Sequence, residues 1–175
     1  MTSDTHTIAE TTRGRLLAVD YGERRIGLAL SDPLGMIASP FGVIVRRRGK
    51  RPPVAELVRQ AEEAGARGFV VGLPLDGNGN DTPRAVEARH IAMELARRTG
   101  LPAYLVDERY TTAAALRTIR EMGGSTRGRK GDVDAMAAAV LLRHAIMLSD
   151  STLNSTRVDA HGQGDASAVN ASPKP

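Results

Sequence analysis

Apolar positions along the chain come first in short unbroken runs and later at helical spacing, and that change of period sets the predicted fold. Leu16–Val19 is a continuous apolar run that ends in Asp20 and turns through Tyr21-Gly22-Glu23 into a second run, Arg25–Leu30. Runs this short, bounded by turn residues, predict buried strands. The segment SDPLGMIASP, with two prolines and a glycine, interrupts regular structure before a third run at Phe41–Val45. The connections are too short for parallel crossovers, so the three strands should form an antiparallel meander.

From Pro52-Pro53 onward the period is helical: Val54, Leu57, Val58, Ala61 and Ala64 recur on one face until Gly65. Gly68–Val71 predicts a fourth strand. The helix before it is a crossover, which makes the sheet mixed. A glycine-rich loop from Gly72 to Asn80 leads to Asp81-Thr82-Pro83, an N-cap followed by proline in the first helical turn, and that helix runs to about Thr99 with Gly100 as its stop. The loop could present backbone N–H groups to an anion, but its glycines match neither the dinucleotide fingerprint nor the P-loop. Ala103–Val106 predicts a fifth strand, leading into Asp107-Glu108-Arg109; a helix over Ala113–Met122, capped by Thr111 or Thr112, follows it. The basic, glycine-rich stretch GGSTRGRKGD delivers the chain to a last helix, Val133–Leu148, with Asp132 as its cap. The expected fold is α/β: a five-stranded mixed sheet flanked by helices. Residues 1–14 read as a disordered leader, residues 15–148 as one domain, and everything from Ser149 onward as a disordered tail.

Composition narrows the chemistry. Aromatic residues make up 3% of the chain and Trp is absent, so an aromatic platform for stacked bases is not expected. Cys is also absent, which removes thiol nucleophiles, Cys-ligated zinc and disulfides and agrees with a cytoplasmic location. No apolar run approaches the ~20 residues of a membrane span, so no membrane partner is expected. The net charge is +4, and the basic residues cluster at Arg46, Arg47 and Arg48 and again at Arg127, Arg129 and Lys130. Such clusters suit phosphate neutralisation, although a single one could equally be a solvated loop.

The carboxylates carry the functional signal. If the first crossover returns the chain to the centre of the sheet, strands one, four and five run parallel and their carboxyl ends share a rim, where ligands bind in open α/β sheets. Asp20 and the pair Asp107-Glu108 arrive there independently, and Asp134 joins them if the last helix starts at the same rim. Alone, Asp20 would serve as well for capping a turn. Consecutive strand residues face opposite ways, so at most one of Asp107 and Glu108 faces a given site. Gathered carboxylates repel unless a cation lies between them, and an oxygen-only donor set favours Mg²⁺ or Mn²⁺.

The segments VDYGERRIGLALSD, VVGLPLDGNGN, VDERYTT and KGDVDAMAAAVLL, in that order and at these spacings, resemble the YqgF (RuvX) family of RNase H-like nucleases. The resemblance spans roughly Arg15–Leu148. It implies an RNase H-like three-layer fold with strand order 3-2-1-4-5 and a divalent-metal site, in which Asp20, Glu108 and Asp134 fall on the family's acids and Arg109 and Lys130 on its basic positions. Metal-assisted phosphodiester hydrolysis then follows as the expected chemistry, with two Mg²⁺ or Mn²⁺ ions and with Arg46, Arg47, Arg48, Arg127 and Arg129 neutralising flanking phosphates. Family members are described as candidates for maturing the 5′ end of pre-16S ribosomal RNA and for resolving Holliday junctions, so the expected partner is structured RNA or branched DNA, and a resolvase would act as a homodimer making paired cuts. Two other classes fit less well. Phosphotransferases of the actin, hexokinase and Hsp70 type have a similar Asp-Tyr-Gly hairpin but duplicate the fold, for which 175 residues leave no room. A non-catalytic module that only binds phosphates gains nothing from acids at the site.

Overall fold

The structure is a computed structural model that describes residues 14–47, 49–109, 130–148 and 150–161. The predicted meander is present: β1 (Arg15–Tyr21), β2 (Arg25–Ser31) and β3 (Ala38–Val45) pair antiparallel, with Asp20 opposite Gly27 and Ile26 opposite Ile44. β3 starts earlier than its apolar run suggests and passes through Pro40. The proline is tolerated because β3 is an edge strand, and the register shifts between Leu28 and Ala29, beside it.

Helix α1 (Val54–Ala64) ends at Gly65, whose φ of 66° is the left-handed conformation that lets the chain reverse into β4 (Ala66–Leu73). β4 lies parallel to β1, pairing Leu17 with Phe69 and Val19 with Val71, so the crossover does return to the centre of the sheet. Helix α2 (Pro83–Thr99) begins as its sequence predicts, with the Thr82 side chain accepting from the Ala85 N–H at 3.1 Å and Pro83 in the first turn. It leads to β5 (Ala103–Asp107), parallel to β4 with Leu73 opposite Asp107.

After β5 the description resumes at helix α3 (Lys130–Met147), followed by the short helix α4 (Asp150–Asn154) and β6 (Arg157–Val158). The helix expected over Ala113–Met122 lies outside the described residues. Two expectations change. Helix α3 begins at Lys130, so Asp132 lies within the helix and is not its cap. The segment after Ser149, read as an aperiodic tail, contains a helix and a sixth strand: β6 pairs antiparallel with β5, giving the order β3-β2-β1-β4-β5-β6. A two-residue strand has no periodicity to read. What holds it is Leu153, buried on one side of the sheet, and Val158, packed on the other.

The sheet separates two cores. Leu17, Val19, Tyr21, Phe69, Val71 and Leu105 face α1 and α2, while Leu16, Ala18, Val70, Tyr104 and Val106 face α3 through Ala138, Leu141, Leu142 and Ala145. This is the expected three-layer arrangement. Among the described residues no helix is long and apolar enough to cross a membrane.

Candidate active site

Strand alternation decides where Asp20 points. Leu16 and Ala18 belong to the α3 face, so Asp20 does too, and it is 1% exposed. Its antiparallel partner Gly27 faces the same way. A Cβ on Gly27 would overlap the backbone carbonyl of Asp134, so the missing side chain is what lets the start of α3 lie against β2. This contact carries Asp134, fully buried, onto the face that holds Asp20.

Glu108 reaches the same place from the other side. Gly72 follows Val71 at the carboxyl end of β4, beside Asp20 in the parallel ladder, and a Cβ there would overlap Glu108 Oε1. The Glu108 side chain, 2% exposed, therefore lies over a strand position kept bare for it. Asp107 takes the opposite face. It forms a two-pronged pair with Arg109, whose Nε and Nη2 lie 2.9 and 2.7 Å from Oδ2, and it also accepts from the Arg109 backbone N–H at 3.0 Å. The arrangement thus separates two acids that are equivalent by sequence: Asp107 orders the turn, and Glu108 lies on the α3 face, where Asp20 and Asp134 are also buried. Among the described residues, Asp20, Glu108 and Asp134 are the only buried carboxylates.

The cationic surroundings include a residue not singled out in the sequence. Arg25 Nη1 lies 3.7 Å from Asp134 Oδ2. The hairpin register contains the signal, because Arg25 is two residues from Gly27 and so shares its face. Arg46, expected at phosphates, is instead folded inward: its guanidinium sits 4.3 Å from the Tyr21 ring centroid and donates to the Gly22 carbonyl at 3.0 Å. Burial pushes the Tyr21 hydroxyl up to about 12, and the Arg46 charge offsets part of that rise. Arg47 is exposed, whereas Arg109 is half-buried against the loop at Gly79. Arg48, Arg127 and Arg129 lie outside the described residues, and Lys130 opens α3.

Residues 14–147 match the family described as "RuvX: Holliday junction resolvase". The chain belongs to the RuvX family. Among curated RuvX relatives, a protein of Anaeromyxobacter sp. is 44% identical over 129 residues, covering 74% of this chain and 93% of that one. One of Koribacter versatilis is 41% identical over 130 residues, covering 74% and 84%. Both carry the name "Putative pre-16S rRNA nuclease". Among solved structures, Thermus thermophilus RuvC in complex with a Holliday junction substrate superposes with a TM-score of 0.50 at 16% identity, over 76% of this chain and 93% of that one. At that identity the match speaks for a shared RNase H-like fold.

In this RuvX chain the acids suit a hard divalent cation. All the donors are carboxylate oxygens, and Gly27 and Gly72 make room for the Asp134 backbone and the Glu108 carboxylate on this face. Among the described residues no three His, Cys, Asp or Glu side chains already form a metal cluster, so the fit rests on donor chemistry and shared placement. Burying three carboxylates is tolerated only where cations or hydrogen bonds compensate them, and Arg25 beside Asp134 is one such group.

Proposed function

We propose that this chain is a divalent-metal-dependent nuclease that hydrolyses phosphodiester bonds of structured RNA and processes the 5′ end of pre-16S ribosomal RNA in the cytoplasm. The observation that carries this reading is the burial of Asp20, Glu108 and Asp134 on one face at the carboxyl rim of the sheet, in a chain of net charge +4. A protein that merely gripped phosphates would place no acids there. The relatives' names point to the RNA substrate, while the family's description points to a branched DNA junction.

In this mechanism Asp20, Glu108 and Asp134 hold Mg²⁺ or Mn²⁺. Bound there, the metal supplies Lewis-acid polarisation of the phosphoryl oxygen and a nucleophilic hydroxide near neutral pH. The protein contributes the frame. β1 holds Asp20 from the sheet, Gly72 gives Glu108 its resting place, and α3 brings in Asp134 while Leu141 and Leu142 close the apolar side against water. Arg25 partly balances Asp134, and Arg47 with the basic residues Arg48, Arg127, Arg129 and Lys130 neutralises flanking phosphates. Substrate binding should accordingly fall steeply as salt rises.

The test is cleavage of three labelled substrates with Mg²⁺ or Mn²⁺: a pre-16S 5′ segment, a four-way DNA junction and a linear single strand. Asp20→Asn should lower metal-dependent cleavage by about 100-fold or more while low-salt binding persists. Full activity in that variant, or in excess EDTA, would remove the metal mechanism. Paired cuts on the junction with no cut in the RNA would replace the RNA assignment with the resolvase.

A further inference from the structure

Asp20 is held from behind by a residue on the opposite face of the sheet. Tyr21 follows Asp20 and points into the α1/α2 core, where it is 2% exposed and its hydroxyl has no hydrogen-bond partner among the described residues. Only packing and the Arg46 guanidinium therefore fix the ring's outer side. Arg46 grips the same turn at two further points and ties it to α2 at a third. Its backbone N–H donates to the Arg24 carbonyl at 2.9 Å, its Nη1 donates to the Gly22 carbonyl at 3.0 Å, and its Nη2 stands 3.5 Å from Glu87 Oε1 on α2. The turn itself is closed by the Gly22 N–H to the Arg25 carbonyl at 3.0 Å. A second latch runs from the same helix, Arg84 Nη2 to Glu23 Oε1 at 2.9 Å.

The segment fixed in this way is short. Asp20 immediately precedes it, and Arg25, which faces Asp134 at 3.7 Å, closes it. Both ends of the turn thus reach the acid face, while the guanidinium that sets its shape lies on the other side, only 14% exposed at its side chain. A planar, multi-donor guanidinium suits this task, since one group stacks on a ring, satisfies a carbonyl and meets a carboxylate at once. An arginine serving phosphates would keep its donors toward solvent, as exposed Arg47 does.

We propose that Arg46 is a positioning residue: through Tyr21, Gly22 and Glu87 it fixes the β1–β2 turn and thereby the places of Asp20 and Arg25. The inference rests on the nuclease reading for its effect on cleavage, but its structural content is independent of that reading. Misplacing a reacting group by about 1 Å can cost on the order of 100-fold in rate, so loosening this turn should act on turnover before it acts on substrate affinity.

The experiment compares Arg46→Gln, Arg46→Lys, Glu87→Gln and Arg47→Gln in the full chain, each checked for folding by thermal unfolding. Hydrogen exchange across residues 20–26, Mn²⁺ affinity by calorimetry, low-salt binding of a labelled pre-16S 5′ segment, and cleavage kinetics are measured for each. Arg46→Gln should speed exchange in the turn, weaken Mn²⁺ binding and lower kcat by roughly 10- to 100-fold, with RNA affinity and its salt slope unchanged. Arg46→Lys should recover little, because it keeps the charge but not the planar fork. Glu87→Gln, which loosens only the outer anchor, should shift every readout the same way by less, and it decides the matter if Arg46→Gln fails to fold. Arg47→Gln should weaken RNA binding and reduce the salt slope by about one. The proposal is overturned if Arg46→Gln leaves turn exchange and Mn²⁺ affinity unchanged, or if it behaves like Arg47→Gln. A parent chain that binds Mn²⁺ and cleaves none of the substrates would remove the nuclease reading, while exchange and Mn²⁺ binding would still test Arg46.

Discussion

The two faces of the sheet are built from the same strands and do opposite things. Toward α1 and α2 the strands present Leu17, Val19, Phe69, Val71 and Leu105, large side chains that fill the space between sheet and helices. Toward α3 they present Leu16, Ala18 and Val70 but also Gly27 and Gly72, and the helix answers with Ala138 and Ala145. Small residues let α3 come close and leave room for Glu108, so Asp134 and Glu108 are buried on the face that holds Asp20. One face stores stability and the other spends some of it on buried charge. In the positioning role proposed for Arg46, the two faces meet at the β1–β2 turn, which Arg46 holds from the stable side.

The sharpest way to break the contrast is to damage the stable face alone. Phe69 is fully buried, and Phe69→Ala should destabilise the fold by about 3–5 kcal/mol, read as a lower urea midpoint. Molecules that remain folded should cleave at close to the parent rate, because Phe69 packs in the α1/α2 core, across the sheet from Asp20. A collapse of turnover in the folded fraction would mean that the two faces are not separable units.

The same contrast explains what could be read from sequence. Apolar periodicity is a property of packed faces, so β1, β2, β4, β5 and both crossover helices stand out, as do the Thr82-Pro83 start and the Gly65 and Gly100 stops. Connection lengths pointed to the antiparallel meander and the mixed sheet, while the strand order itself came from the family resemblance. β6 escaped notice because its two residues are held by neighbours rather than by a pattern of their own. Charged side chains have no periodicity either, and they were the harder part. Asp20 was visible because it ends an apolar run. Choosing Glu108 over Asp107 needed the family resemblance, since neighbouring acids are alike until the backbone turns. Arg46 looked like one of a basic cluster, and only its inward fold distinguishes it from exposed Arg47. Arg25 could have been found by writing out the hairpin register, which sets it on the same face as Gly27.

A smaller structural change should do more to function. Gly72→Ala places a methyl group where Glu108 Oε1 now lies and close to Leu141 Cδ2, at 3.1 Å from the new carbon. The carboxylate is the end of a flexible side chain and can swing away, so the cost in stability should stay near ~1 kcal/mol, at the low end for overpacking. Cleavage should fall by roughly tenfold or more, because the acid no longer rests over β4 beside Asp20. Denaturant unfolding and single-turnover kinetics on the same preparation separate the two effects. Parent-like turnover in Gly72→Ala would remove Glu108 from the site, leaving Asp20 and Asp134.

The smallest effect belongs to acids that the fold keeps outside. On the solvent side of α1, Arg59 bridges Glu56 and Glu63, and its hydrogen bonds, with one from Gln60, hold the Glu56 carboxyl down at about 2 instead of its ordinary 4.5. The folded-state value is depressed, so the stabilisation is present above pH ~4.5 and is lost as pH falls toward 2. Glu56 is 37% exposed, and solvent screening reduces its worth to about 0.5 kcal/mol or less. Glu56→Gln should therefore lower stability by no more than that at pH 6. The difference from the parent chain should shrink as pH falls toward 2, and 1 M salt should erase most of it at pH 6. Neither cleavage nor Mn²⁺ affinity should change, since α1 lies across the sheet from Asp20. A charge worth so little when exposed measures, by contrast, what burying Asp20, Glu108 and Asp134 together demands of the opposite face.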